Sequence, residues 1–193
     1  RFTQLTSLKL SSIGLGTMLP IMAPHLATLT GLRRLELDGR NDPCLPGNTT
    51  QEVMSHLSNL TQIRHFAFCR LYDGSDEANV PTLCKLISAM SNLGCLELAG
   101  NYFTAKSIEM LCEPISQLEE IKVLNLSDIS LDESSVNALG KFTTRLGHLE
   151  LCDITWEMGG LEALVAQFEH WTNMRALDIS RHSTAIPDEE KTT

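Results

Sequence analysis

The chain has 193 residues, 42% of them hydrophobic, and a formal net charge of −9. That is enough apolar material for a continuous core, yet no stretch approaches the roughly 20 consecutive apolar residues that a membrane-spanning helix requires. The negative charge repels phosphate, which argues against nucleic acid as a partner, and it raises encounter rates with cationic partners.

In chain order, an L-x-x-L-x-L block returns seven times: Leu5/Leu8/Leu10, Leu32/Leu35/Leu37, Ile63/Phe66/Phe68, Leu93/Leu96/Leu98, Ile121/Leu124/Leu126, Leu146/Leu149/Leu151 and Met174/Leu177/Ile179. The blocks start 27, 31, 30, 28, 25 and 28 residues apart. Alternation at period two predicts short strands near 7–10, 34–37, 65–68, 95–98, 123–126, 148–151 and 176–179. Between them the apolar spacing turns helical, as in Leu83, Leu86, Ile87 and Met90, or Leu161, Leu164, Val165 and Phe168. Strands stack about 4.8 Å apart, whereas packed helices need roughly 8–10 Å. An array of about seven such strand–helix units therefore bends, with a parallel concave sheet inside and helices outside. The expected fold is an α/β leucine-rich repeat solenoid, a horseshoe.

Local punctuation refines the elements. Thr49-x-x-Glu52 predicts a capping box at a helix start, and Asp132 predicts an N-cap. Pro20, Pro24 and Pro114 fall inside helical stretches, which are expected to be short, kinked or partly 3₁₀. The two longest units carry turn-rich inserts, 40–47 and 72–77, expected as surface loops. Residues 1–182 are expected to form the repeat domain and 183–193, including Ile186 to Lys191, a polar tail. Nothing ahead of Leu5 covers the first strand, so the chain is expected to be part of a larger protein.

Six cysteines, Cys44, Cys69, Cys84, Cys95, Cys112 and Cys152, are scattered through the middle of the array rather than gathered in terminal caps. Reduced thiols and a cytoplasmic location are the expectation. Three glycosylation sequons, at Asn48, Asn59 and Asn125, point the other way, to an extracellular module.

The repeat of about 28 residues, with Leu-Glu-Leu-Ala-Gly-Asn-Tyr-Phe at 96–103 and Leu-Asn-Leu-Ser-Asp-Ile-Ser-Leu at 124–131, resembles the ribonuclease-inhibitor-like subclass of leucine-rich repeats. The irregular unit lengths and scattered cysteines are most similar to the C-terminal repeat regions of NOD-like receptors, cytosolic ATPases of innate immunity. That resemblance implies a nucleotide-binding module upstream in the same chain, and ligand sensing or autoinhibition as the role of this part. No G-x-x-x-x-G-K-[ST] occurs here, so no nucleotide or other cofactor is expected. One departure stands out. The asparagine or cysteine that the subclass places three residues after the last strand leucine is present only as Asn101, with Ile13, Arg40, Leu71, Ile129, Ile154 and His182 elsewhere. A less regular arc is the expectation, because that side chain satisfies backbone groups in the turns.

The outward strand positions define a candidate recognition face. Its central column runs Lys9, Glu36, Ala67, Glu97, Asn125, Glu150 and Asp178, flanked by Asp38, Asp128 and Asp153. The excess of acids favours a basic surface on a protein partner or microbial ligand, although solvation of the sheet would demand similar residues. Tyr72 and Tyr102, with Arg70, are expected as exposed anchors on one rim. Phe103 and Trp156 are expected in the core. A constitutive protein-binding scaffold or inhibitor is the alternative function.

His65 and Cys95 occupy equivalent outward positions on adjacent strands and are expected within contact distance. No third group is evident to orient His65, so catalysis is not expected. No C-x-x-C or H-x-x-x-H spacing occurs, so no metal site is expected either.

Overall fold

A computed structural model describes residues 4–11, 14–39 and 44–184. Strands and helices alternate: β1 (Ser7–Ser11), α1 (Leu15–Leu26), β2 (Arg34–Asp38), α2 (Gly47–Leu57), β3 (His65–Cys69), α3 (Val80–Ala89), β4 (Cys95–Glu97) and α4 (Ala105–Ser116). The later units each add a second short strand: β5 (Val123–Asn125), β6 (Ser130–Leu131), α5 (Glu133–Thr143), β7 (His148–Glu150), β8 (Thr155–Trp156), α6 (Gly160–Gln167), β9 (Ala176–Asp178) and β10 (Ser183–Thr184). Seven strands form one parallel sheet in the order β1-β2-β3-β4-β5-β7-β9, and β10-β8-β6 form a second. Each helix packs on the next along the array. This is the α/β leucine-rich repeat solenoid that the spacing predicts.

The core lies between sheet and helices. Leu35, Leu37, Phe66, Phe68, Leu96, Leu98, Leu124, Leu126, Leu149 and Leu151 are buried, with Leu32, Ile63, Leu93, Ile121 and Leu146 beneath them. From the convex side, Leu19, Leu57, Leu83, Leu111, Leu139 and Leu164 close over them. The motif residues of the outermost strands, Leu8, Leu10, Leu177 and Ile179, are only half-buried because each has a single neighbouring strand.

The punctuation departs from expectation in three places. Pro20 and Pro24 sit within one continuous α-helix of 12 residues, and Pro114 in the last turn of another. The packed apolar face carried by Leu15, Leu19, Ala23 and Leu26 outweighs the backbone donors that the prolines remove. Thr49 does not cap: α2 begins at Gly47 after Pro46, so Thr49 is already inside the helix. Asp132 does cap, accepting from the Ser135 amide at 2.8 Å, while Ser135 Oγ accepts from the Asp132 amide at 2.9 Å. Finally, Ser183 and Thr184, read as the start of a tail, pair in parallel with Thr155 and Trp156. Ile13, residues 40–43 of the 40–47 insert and Ile186 to Lys191 lie outside the described residues.

Turns after the strands share one conformation. Arg70, Gly100, Asp128, Asp153 and Arg181, each two residues past the last motif residue, all have positive φ, between 53° and 73°. The amides of the first four bond to the next unit: Arg70 N to Ala99 O at 3.1 Å, Gly100 N to Ser127 O at 3.1 Å, Asp128 N to Cys152 O at 2.9 Å and Asp153 N to Ser180 O at 3.0 Å. The left-handed residue turns the chain off the sheet while keeping its amide in the ladder.

Candidate functional site

Register aligns the outward side chains into columns. Lys9, Glu36, Ala67, Glu97, Asn125, Glu150 and Asp178 are successive Cα partners across the sheet, and so are Ser7, Arg34, His65, Cys95, Val123, His148 and Ala176. Neighbours in such columns stand within reach of lateral hydrogen bonds.

Those lateral contacts change the electrostatics that the acid count suggests. Glu36 is only 7% exposed: Lys9 Nζ lies 2.6 Å away and Arg34 donates to the same carboxylate. The Lys9 hydrogen bond, helped by Arg34, holds that carboxyl below its usual range. His65 Nε2 is 3.0 Å from Glu97 and has the same effect on it. His148 Nε2 is 3.0 Å from Glu150, which also accepts from Asn125 Nδ2. Arg70 grips Asp38 with two nitrogens, Nε at 3.0 Å and Nη2 at 2.6 Å, and Arg181 lies 3.1 Å from Asp153. Much of the expected acidic field is therefore compensated within the protein. Neighbouring parallel strands bring Lys9 to Glu36 and His65 to Glu97, while Arg34 and His148 reach the acid two residues along their own strand. All but the Lys9 pair join two columns, which counting along one column misses. Asp178 is exposed, with its carboxyl lowered chiefly by the Ser180 amide, 2.9 Å away. At Asp128, burial and then Asp153 push the carboxyl up.

The aromatic rim also needs correction. Tyr102 is 62% exposed, but Tyr72 is wholly buried, its ring 5.7 Å from that of Phe103. Both tyrosines fall four residues after a strand's last motif residue. Tyr102 takes positive φ and swings outward, whereas the Tyr72 amide bonds to Asn101 Oδ1 at 3.0 Å, which draws its side chain into the core. Phe103 and Trp156 are buried.

His65, Cys95 and Glu97 form the tightest chemical cluster. Cys95 Sγ is 4.0 Å from His65 Nε2 and 3.7 Å from Glu97 Oε1, and Glu36 Oε1 lies 3.8 Å from the same histidine nitrogen. Glu97 is thus the third group that the sequence did not reveal, although β4 carries it just two residues from Cys95. A triad needs nucleophile and carboxylate on opposite ring nitrogens, and here both converge on Nε2. Burial, then the Glu97 charge, pushes the Cys95 thiol up to about 12, away from the thiolate a nucleophile requires.

No family model matches the chain. Among solved structures, the chain is similar to an internalin (inlF) from Listeria monocytogenes, at 15% identity and a TM-score of 0.36, over 92% of this chain and 62% of the internalin chain. An overlay that loose carries no argument about this protein, and the fold rests on its own repeats and sheet. Among the described residues, no helix is long and apolar enough to cross a membrane.

Proposed function

We propose that this chain is a recognition module that binds a protein partner or microbial ligand on its concave sheet. In this reading it is the sensing and autoinhibitory repeat region of a cytosolic NOD-like receptor of innate immunity, in the ribonuclease-inhibitor-like subclass. The observation that carries the reading is the register: seven parallel strands hold whole columns of polar side chains on one face, many locked by lateral bonds before any partner arrives. Such preorganisation reduces the ordering cost of binding. Long units with a helix between successive strands support the subclass. Six unpaired thiols support a reducing compartment and an unglycosylated chain. The function is binding rather than catalysis, as the convergence on a single histidine nitrogen and the raised Cys95 thiol favour. Toward the β9 end, the exposed Asp178 and Glu150, whose partners are an imidazole and a side-chain amide rather than a lysine or arginine, suit a basic surface on the partner.

The test is affinity capture from cytosol with cross-linking. A Glu150→Lys/Asp178→Lys variant is expected to lose partners that a convex control, Lys85→Glu/Lys106→Glu, retains. Loss in the control alone moves the binding face to the helices. The receptor assignment is checked on the complete coding sequence, where an upstream phosphate-binding loop of the G-x-x-x-x-G-K-[ST] type is expected. Its absence overturns that assignment and leaves the scaffold or inhibitor reading.

A further inference from the structure

The cluster that fails as a catalytic relay has the geometry of a metal site. Cys95 Sγ, His65 Nε2 and Glu97 Oε1 lie mutually 4.0, 3.0 and 3.7 Å apart. Zinc bonds sulfur at about 2.3 Å and nitrogen or oxygen at about 2.0–2.2 Å, so a tetrahedral ion sets its donors roughly 3.3–3.6 Å from one another. Each observed edge is within about 0.5 Å of that range, a shift that side-chain torsions absorb. We propose that His65, Cys95 and Glu97 bind one borderline-soft divalent cation of the zinc class on the concave sheet, with water in the fourth position.

Three further observations favour an ion over a simple hydrogen-bond network. The donors are of three different types and converge on one point rather than forming a chain. The sheet fixes them: His65 and Cys95 are Cα partners across β3 and β4, and Glu97 follows on the same face. Charge closes as well. As the ion binds, Cys95 releases its thiol proton to solvent, and the hydrogen that His65 Nε2 donates to Glu97 is exchanged through solvent for one on Nδ1, freeing the Nε2 lone pair. Sulfur, nitrogen and oxygen then bond the metal, and thiolate and carboxylate balance the double positive charge. His65 and Glu97 side chains are 18% and 34% exposed, which leaves an open approach from solvent for the ion and for the fourth ligand. The nearest cation in the adjoining strand, Arg34, is tied to Glu36. A thiolate and an imidazole select zinc, cobalt or similar ions over magnesium and calcium, which take oxygen donors. The proposal does not rest on the recognition reading, although Glu97 stands in the same column.

The experiment is titration of the purified, reduced, metal-free chain with cobalt(II), followed by zinc(II). One cobalt per chain is expected, with a thiolate-to-cobalt charge-transfer band and tetrahedral visible absorption, both abolished by zinc and untouched by magnesium. Cys95→Ser is expected to abolish the charge-transfer band and Cys152→Ser to keep it. His65→Gln and Glu97→Gln are each expected to weaken binding by at least about tenfold. Circular dichroism melts of the metal-free variants establish that each is folded, and zinc is expected to raise the melting temperature of the wild type but not of Cys95→Ser. A wild-type chain without the charge-transfer band, or a band that survives Cys95→Ser, overturns the proposal. The wild-type result decides even where a variant fails to fold.

Discussion

The turns of the third and fourth units and those of the last three solve one problem by different means. Where the chain leaves the sheet, buried backbone groups lose their strand partners and must find others. Between β3 and α4 a single side chain supplies them. Asn101 is fully buried; its Oδ1 accepts from the Leu71 and Tyr72 amides at 3.1 and 3.0 Å, and its Nδ2 donates to the Phe68 and Leu98 carbonyls at 2.6 and 2.8 Å. In the fifth and sixth units the equivalent positions are Ile129 and Ile154, buried hydrophobes that cannot do this, and in the seventh His182 is exposed. There the backbone pairs with itself in the second sheet, with Thr155 N bonded to Ile129 O at 2.9 Å, Glu157 N to Leu131 O at 2.8 Å and Ser183 N to Ile154 O at 2.8 Å. A lost asparagine therefore does not leave the arc unsupported, because a short parallel ladder replaces it.

The contrast breaks most decisively at Asn101. Asn101→Ala orphans two amides and two carbonyls, and is expected to cost about 3–5 kcal/mol in urea unfolding. A loss below 1 kcal/mol would show that the turn does not depend on this side chain. The reverse exchange, Ile154→Asn, places an amide where backbone pairing is already complete. It should destabilise by about 2–4 kcal/mol through lost apolar contact and an unpaired polar group, and a gain in stability would mean the two devices are interchangeable. The second ladder also depends on close approach by α6. A Cβ on Gly160 would stand 2.4 Å from the Leu131 carbonyl oxygen, a backbone atom in β6, whereas one on Gly147 meets nothing nearer than 3.8 Å. Gly160→Ala is expected to cost about 1–3 kcal/mol and Gly147→Ala far less, by thermal unfolding.

The smallest effect separates the two turn types by charge. Asp128 has its carboxyl raised by burial and by Asp153, while Arg70, in the same left-handed column, is engaged with Asp38. A folded-state pKa above the unfolded one favours the fold when the group is protonated, and that advantage disappears as pH rises through the folded value. Asp128→Asn should therefore stabilise at neutral pH, by about 0.5 kcal/mol or less because the site is half open to solvent. Below the ordinary value of 3.8 the variant and wild type should melt together. A difference that persists in acid would assign the effect to the altered hydrogen bonding instead.

The strands were legible because burial imposes period two, and equal motif offsets bring equivalent residues into register; the column from Lys9 to Asp178 follows from that alone. The burial of Tyr72 was not legible. At the same offset Tyr102 points outward, and the difference lies in backbone torsions and in an asparagine 29 residues away. The approach of His65 to Cys95 was legible from their equivalent strand positions, 30 residues apart, but Glu97 as their third member was not. It sits in the neighbouring column two residues along the same strand, and only side-chain torsions bring its carboxylate back onto the thiol and the imidazole. The acidic face was half legible: the acids stand where expected, but their lateral cations and imidazoles belong to other columns or strands.

Repeat period, strand positions, core leucines and fold class were thus already written in the order of residues, because each unit buries its own apolar face by local geometry. Which polar atoms meet was decided only in three dimensions. Many of those contacts join residues about a unit apart, where unit lengths, left-handed turns and strand register together place one side chain against the next, and others join neighbours on one strand through side-chain torsions. Glu36 beneath Lys9, Asn101 beneath two turns, and Cys95 beside His65 and Glu97 exist only once the units have stacked.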